Sequence, residues 1–162
     1  ITAPVNLPDE PLSEYAMRDL VRQAKQKYDY ILMDSPAGLG EGFRLACCGA
    51  DRAIVVSTTD SSALRDAQRT VSVLRKQLPQ LHLVVNRVQP KLLRRLHTTI
   101  DDAMDTAGLP LLGIVPEDPQ VILSANRGEP LILCASRGAA IAYLNIAKRL
   151  TGQKVPLMKL RA

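Results

Sequence analysis

The sequence contains no tryptophan and a single phenylalanine, and aromatic residues supply only 3% of its 162 positions. A core must therefore be built from Leu, Ile, Val and Ala. That favours a helix-covered parallel sheet over an aromatic-rich sandwich or a module that stacks nucleic-acid bases on exposed rings. No apolar run approaches the roughly 18 residues that cross a bilayer, and no signal-peptide pattern opens the chain. Cysteine is scarce. The three present are an odd number, two are adjacent (Cys47 and Cys48), and no C-x-x-C or Cys/His spacing suggests zinc. The expectation is three reduced, buried thiols of a cytosolic protein. The charge excess is also small: +5 with a pI near 9.3 requires no nucleic-acid partner. A hydrophobic share of 46% beside 23% charged residues describes a globular domain and excludes a disordered chain. The first residue is Ile1, as in a fragment, a processed chain or one whose start lies upstream.

Four short, nearly continuous apolar runs predict strands buried on both faces: Tyr28–Met33, Arg52–Ser57, Leu81–Asn86 and Leu111–Val115. Helical patterns separate them. Pro11–Lys27 opens with Asp9 and Glu10 before a proline and closes with Lys25 and Lys27. Ser62–Leu78 sets Leu64, Ala67, Val71, Leu74 and Leu78 in one stripe. Thr98–Ala107 ends at Gly108, and a last helix is expected at about Gly138–Leu150. Strand alternating with helix predicts a doubly wound, mostly parallel α/β sheet with right-handed crossovers, in a partial single domain spanning 1–162.

Open α/β sheets bind ligands at the carboxyl ends of their strands. Those ends carry Asp34-Ser35-Pro36-Ala37-Gly38, Thr58-Thr59-Asp60, Asn86-Arg87 and Pro116-Glu117-Asp118, and Asp34, Asn86 and Pro116 are expected on one edge of the sheet. An apolar strand ending in Asp is the Walker B arrangement, in which a carboxylate holds Mg²⁺, often through water, beside a triphosphate. Downstream glycines let backbone N–H groups approach a phosphate. A strand-end Asp that caps a helix before an ordinary turn is the plainer alternative.

The string YILMDSPAGLGEG resembles the switch II segment of the MinD/ParA/Mrp group of deviant-Walker ATPases, hhhhDxPAG. SSALRDAQRTVSVL, LVVNRVQP and LLGIVPEDPQVILSANRGEPLI resemble further segments of that group in the same order. The resemblance implies a P-loop NTPase fold and ATP with Mg²⁺ as cofactors. It implies that Asp34 organises Mg²⁺ through water and that the Gly38 N–H faces the γ-phosphate. Asn86 would hydrogen-bond adenine, with Arg87 beside it and Pro116, Glu117 and Asp118 lining the base. Arg65, Asp66 and Arg69 would belong to a dimer and partner surface. Also implied are a homodimer formed on ATP binding, a division-regulator partner of MinC or MinE type, and a cytoplasmic protein that can sit peripherally on the inner face of the membrane.

The chain departs from the group's pattern in two places. No G-x-x-x-x-G-K-[ST] phosphate loop is present, and the first strand that carries it in the group is not among these residues. Roughly a hundred residues of a standard member would precede Ile1, a domain-sized length, and these residues alone are expected to be inactive. At the other end, Val155–Ala162 alternates apolar and basic residues over too short a stretch for more than a weak interfacial contact, so it does not itself indicate a membrane partner. Lys91, Arg94, Arg95 and His97 form a basic cluster, but DNA is not expected as a partner. His82 reads as a packed or edge histidine. Another ATPase of the group (flagellar number, plasmid partition or metallocentre insertion) and a non-catalytic interaction domain are the alternative functions.

Overall fold

The computed structural model describes residues 12–158. The chain divides into two compact units, Ile1–Asp51 and Arg52–Ala162.

The first unit begins with α1 (Glu14–Ala24). Its N-cap Ser13 accepts a hydrogen bond from the Ala16 N–H, with Glu14 in the first turn and Arg22 in the last. Pro11 of the expected helix start lies outside the described residues. Val21 is buried, and a Cβ at Gly49 would run into its isopropyl group, so the glycine permits that close approach. The next helix, α2 (Glu41–Cys47), was not anticipated and carries the chain's one phenylalanine, Phe43, into the interior. The strand expected at Tyr28–Met33 is not formed. A strand exists through its ladder. Among the described residues this run has no ladder partner, its one backbone bond being from the Tyr28 N–H back to the Ala24 carbonyl at 3.0 Å, and Leu32 is left 87% exposed.

The second unit is a three-stranded parallel sheet in the order β1 (Arg52–Ser57), β2 (Gln80–Val88), β3 (Leu111–Pro116). The β-branched runs predicted these strands well, and Leu83, Val85, Val88 and Val115 are fully buried along them. Helices make the crossovers: α3 (Ser61–Leu74) from β1 to β2, then α4 (Pro90–Leu96) and α5 (Ile100–Ala107) from β2 to β3. α3 turns Leu64, Ala67, Val71 and Leu74 inward, as its periodicity required, and packs on β1 and α5. Leu78 is buried in the turn beyond the helix. α5 opens with a reciprocal capping box between Thr99 and Asp102 and ends on Gly108 in the left-handed region.

After β3 come α6 (Pro119–Arg127), α7 (Leu131–Cys134) and α8 (Ala139–Leu150). α8 packs on β3 through small residues. Ala139, Ala140 and Ala142 join Val84, Leu112, Val115 and Leu131 in one core cluster. A Cβ at Gly113 would collide with Ile146, so only glycine allows α8 this close to the strand. The Arg149 guanidinium then donates to three carbonyls, Leu112 (2.8 Å), Val155 (3.0 Å) and Pro156 (2.6 Å), which fastens the segment after α8 beside the start of β3. The cysteine expectation needs correction: Cys134 is exposed, and Cys47 and Cys48 are only half-buried. α7 is a single short turn with only Leu131 buried, so its last residue has nothing to bury against.

Candidate functional site

In the second unit the rim is built where β2 and β3 end. Pairing between them shifts register between Val85 and Val88, and Arg87 takes a left-handed conformation (φ 54°). Such a conformation costs a non-glycine residue about 1–2 kcal/mol. Local bonds offset part of this. The Asn86 Oδ1 accepts from the Arg87 N–H at 2.9 Å, and the Arg87 Nε donates to Glu117 Oε2 at 2.9 Å. The Glu117 N–H closes the rim by donating to the Val88 carbonyl at 3.0 Å. Asn86, Arg87, Pro116 and Glu117 are thus brought together at adjacent strand ends. The Asn86 amide keeps its NH₂ and a second lone pair on Oδ1, so it can still both donate and accept.

The Asp118 side chain serves as a double helix cap. Its Oδ1 accepts from the Gln120 N–H (2.9 Å) and caps α6, and its Oδ2 accepts from the Ala139 N–H (3.0 Å) at the start of α8. One carboxylate therefore ties two helix N-termini together, where negative charge is favoured. Sequence reasoning missed its partner, Gly138 (φ 62°, ψ −131°), whose missing Cβ leaves room for the carboxylate. The signal available was a glycine set immediately before an alanine-rich helix.

In the first unit, Asp34 opens the loop that leads through Gly40 into α2. Its side chain is exposed and makes no hydrogen bond or ion pair with the described residues. Gly38 has φ 88° with open space where a Cβ would stand. Pro36 packs on Gly42, where a Cβ would lie 2.7 Å from its ring. Among the described residues no cluster of three or more His, Cys, Asp or Glu side chains exists, so a cation here would be held by single carboxylates and water. A free carboxylate and an open glycine backbone fit a hydrated magnesium ion and a phosphate oxygen. The phosphate-cradling lysine loop is not part of this sequence.

On α3, Arg65, Asp66 and Arg69 are all exposed on the side away from the Leu64–Val71 stripe. Arg69 approaches Asp66 at 3.5 Å and Arg65 Nε donates to the Ser61 carbonyl at 3.2 Å. Arg65 also lines a groove of about 310 Å³ with Thr59, Ser61, Thr98 and Asp102. The sequence did not reveal this groove, because its walls come from α3 and the start of α5.

A parallel sheet flanked by helices, with its polar loops at the carboxyl strand ends, defines an open α/β domain with its ligand edge at those loops. No family model matches the chain. It is 37% identical over 165 residues to the septum site-determining protein MinD of Synechocystis, an alignment covering 100% of this chain and 62% of that protein. It is similar to the MinD of the MinC:MinD cell division protein complex of Aquifex aeolicus, with a TM-score of 0.86 at 32% identity over 93% of this chain and 63% of that one. It also resembles the septum site-determining protein MinD complexed with Mg-ADP from Pyrococcus horikoshii, with a TM-score of 0.75 at 28% identity over 85% of this chain and 56% of that one. The chain spans less than two thirds of each of these relatives. Over the length that it shares with these relatives the chain is of MinD type.

Proposed function

We propose that these residues supply the magnesium-organising and base-contacting parts of a MinD-type ATPase, and that the whole protein is a nucleotide switch regulating division-site placement. The observation that carries the reading is the likeness, over 93% of the chain, to the MinD of a MinC:MinD complex. Bound Mg·ATP supplies the transferable phosphoryl group and a divalent charge. The Asp34 carboxylate orients the water shell of the ion, and the Gly38 N–H donates toward the terminal phosphate. The Asn86 NH₂ donates to the adenine ring, Arg87 is held in place by Glu117, and the backbone at Pro116, Glu117 and Asp118 lines the base.

In this proposal ATP binding drives homodimerisation, and the exposed charges Arg65, Asp66 and Arg69 receive a regulator of MinC or MinE type. The protein works in the cytoplasm and peripherally at the inner face of the cell membrane. Reversing Arg65 and Arg69 to Glu in the full-length protein tests the partner surface. Regulator binding should fall at least tenfold, about 1.4 kcal/mol, with thermal stability unchanged. Equal affinity of the two proteins would refute that surface.

A further inference from the structure

Cys47 and Cys48 stand side by side where α2 ends, the first as its last helical residue and the second as its cap, and both thiols are half-buried. α1 packs on α2, and Cys48 lies beside Glu14 and Arg18, which are themselves 3.6 Å apart as an ion pair on α1. Val21 of α1 fills the space next to Gly49 and so holds the chain just beyond the two cysteines. α2 has seven residues and leads out of the loop that carries Asp34 and Gly38.

Adjacent helical side chains point about 100° apart. The two sulfurs therefore meet at one atom only when residue 48 is loosened from its helical backbone (φ −56°, ψ −31°). A helix end is where that costs least. The Cys48 N–H is shared between the Arg44 carbonyl at 3.1 Å and the Leu45 carbonyl at 3.2 Å, and these are the bonds that would open. Burial, and after it the neighbouring Cys48, raises the pKa of the Cys47 thiol; burial, and after it Glu14, raises that of Cys48. Protonated thiols select their ligand. A soft cation such as mercuric or cadmium ion needs thiolates and must expel both protons, and among the described residues no third donor joins the pair. Disulfide closure also begins with a thiolate. A trivalent arsenic centre with two hydroxyls brings its own proton acceptors. Each hydroxyl leaves as water with one thiol proton, an As–S bond forms in its place, and arsenic stays trivalent.

We propose that Cys47 and Cys48 form a two-thiol site for trivalent arsenicals, in which both sulfurs bind one arsenic atom and residue 48 leaves the cap of α2. The test is titration of the whole 162-residue chain with phenylarsine oxide, read by intact-protein mass spectrometry in excess glutathione. One arsenical per chain should be retained, and dithiothreitol should release it. A single thiol yields its arsenical to the competing monothiol, whereas the second As–S bond here closes within the chain at high effective concentration. Cys47→Ala and Cys48→Ala should each weaken retention by at least about tenfold. Cys47→Ser and Cys48→Ser, with the melting transition followed, separate loss of the sulfur from a packing defect. Cys134→Ala removes a lone exposed thiol and should retain the arsenical like wild type. Amide hydrogen exchange at Cys48 should speed up on binding, as its two carbonyl partners are given up. The proposal is overturned if wild type yields the arsenical to glutathione as readily as the Cys47 and Cys48 variants. It is also overturned if Cys134→Ala is the variant that loses the arsenical, or if exchange at Cys48 is unchanged by binding.

Discussion

Asp118 Oδ2 occupies the space where a side chain on residue 138 would begin, and from there it accepts the Ala139 N–H at 3.0 Å. The carboxylate can therefore hold the starts of α6 and α8 together only while residue 138 is glycine, which also tolerates the positive φ of 62°. Gly138→Ala should destabilise the domain by about 2–3 kcal/mol from backbone strain and the displaced cap. Asp118→Ala should cost about 1–2 kcal/mol. Urea denaturation measures both, and the double variant should cost less than the sum because the two residues act on one contact.

Arg87 poses a question of sign. Its left-handed backbone costs about 1–2 kcal/mol, whereas its ion pair with Glu117, with Arg87 68% and Glu117 33% exposed, contributes at most about 1 kcal/mol. Strain outweighs the pair. Arg87→Gly should leave stability unchanged or raise it by up to about 1 kcal/mol, while loosening the rim beside Asn86 and weakening nucleotide binding by the full-length protein. A clear loss of stability in chemical denaturation would mean that the pair is worth more than its exposure allows.

The Cys134 thiol donates to Glu129 Oε2 at 3.3 Å and is held protonated by that carboxylate, with burial a lesser contribution, so its pKa lies above the ordinary 9.0. A raised folded-state pKa means that the folded protein keeps its proton longer. The associated stability is present below the unfolded value and is lost as pH rises from about 9 through the folded one. Alkylation of exposed Cys134 should therefore be slow near pH 8, and Glu129→Gln should speed it severalfold there. Equal rates in the two proteins would remove the role assigned to Glu129.

The sheet was legible because apolar runs such as Leu111–Pro116 bury both faces; Arg52–Ser57, at the end of the strand order, departs from that expectation with Val56 60% exposed. The stripe of α3 was legible for the same kind of reason. Tyr28–Met33 has strand composition but no ladder partner among the described residues, and composition says nothing about partners. The Asp118-Pro119 pair follows directly on a strand end, so the start of α6 is masked in the sequence by the rim loop that it also closes. The placement of Asn86 and Glu117 at adjacent strand ends was legible because each follows an apolar run. The bond from Ala139 to Asp118 spans 21 positions, and no local spacing encodes it. Arg87's conformation was hidden too, because it follows from the register shift between β2 and β3.

The most direct test of the central claim is calorimetric titration of Mg·ATP. These 162 residues contain no lysine-bearing phosphate loop, and in P-loop proteins that loop and the helix behind it supply most of the nucleotide affinity. Residues 1–162 alone should bind negligibly. The longer protein carrying such a loop should bind and hydrolyse ATP, and Asp34→Ala in it should abolish Mg²⁺-dependent turnover. Micromolar binding by residues 1–162 alone, or undiminished turnover in the Asp34→Ala protein, would contradict the account.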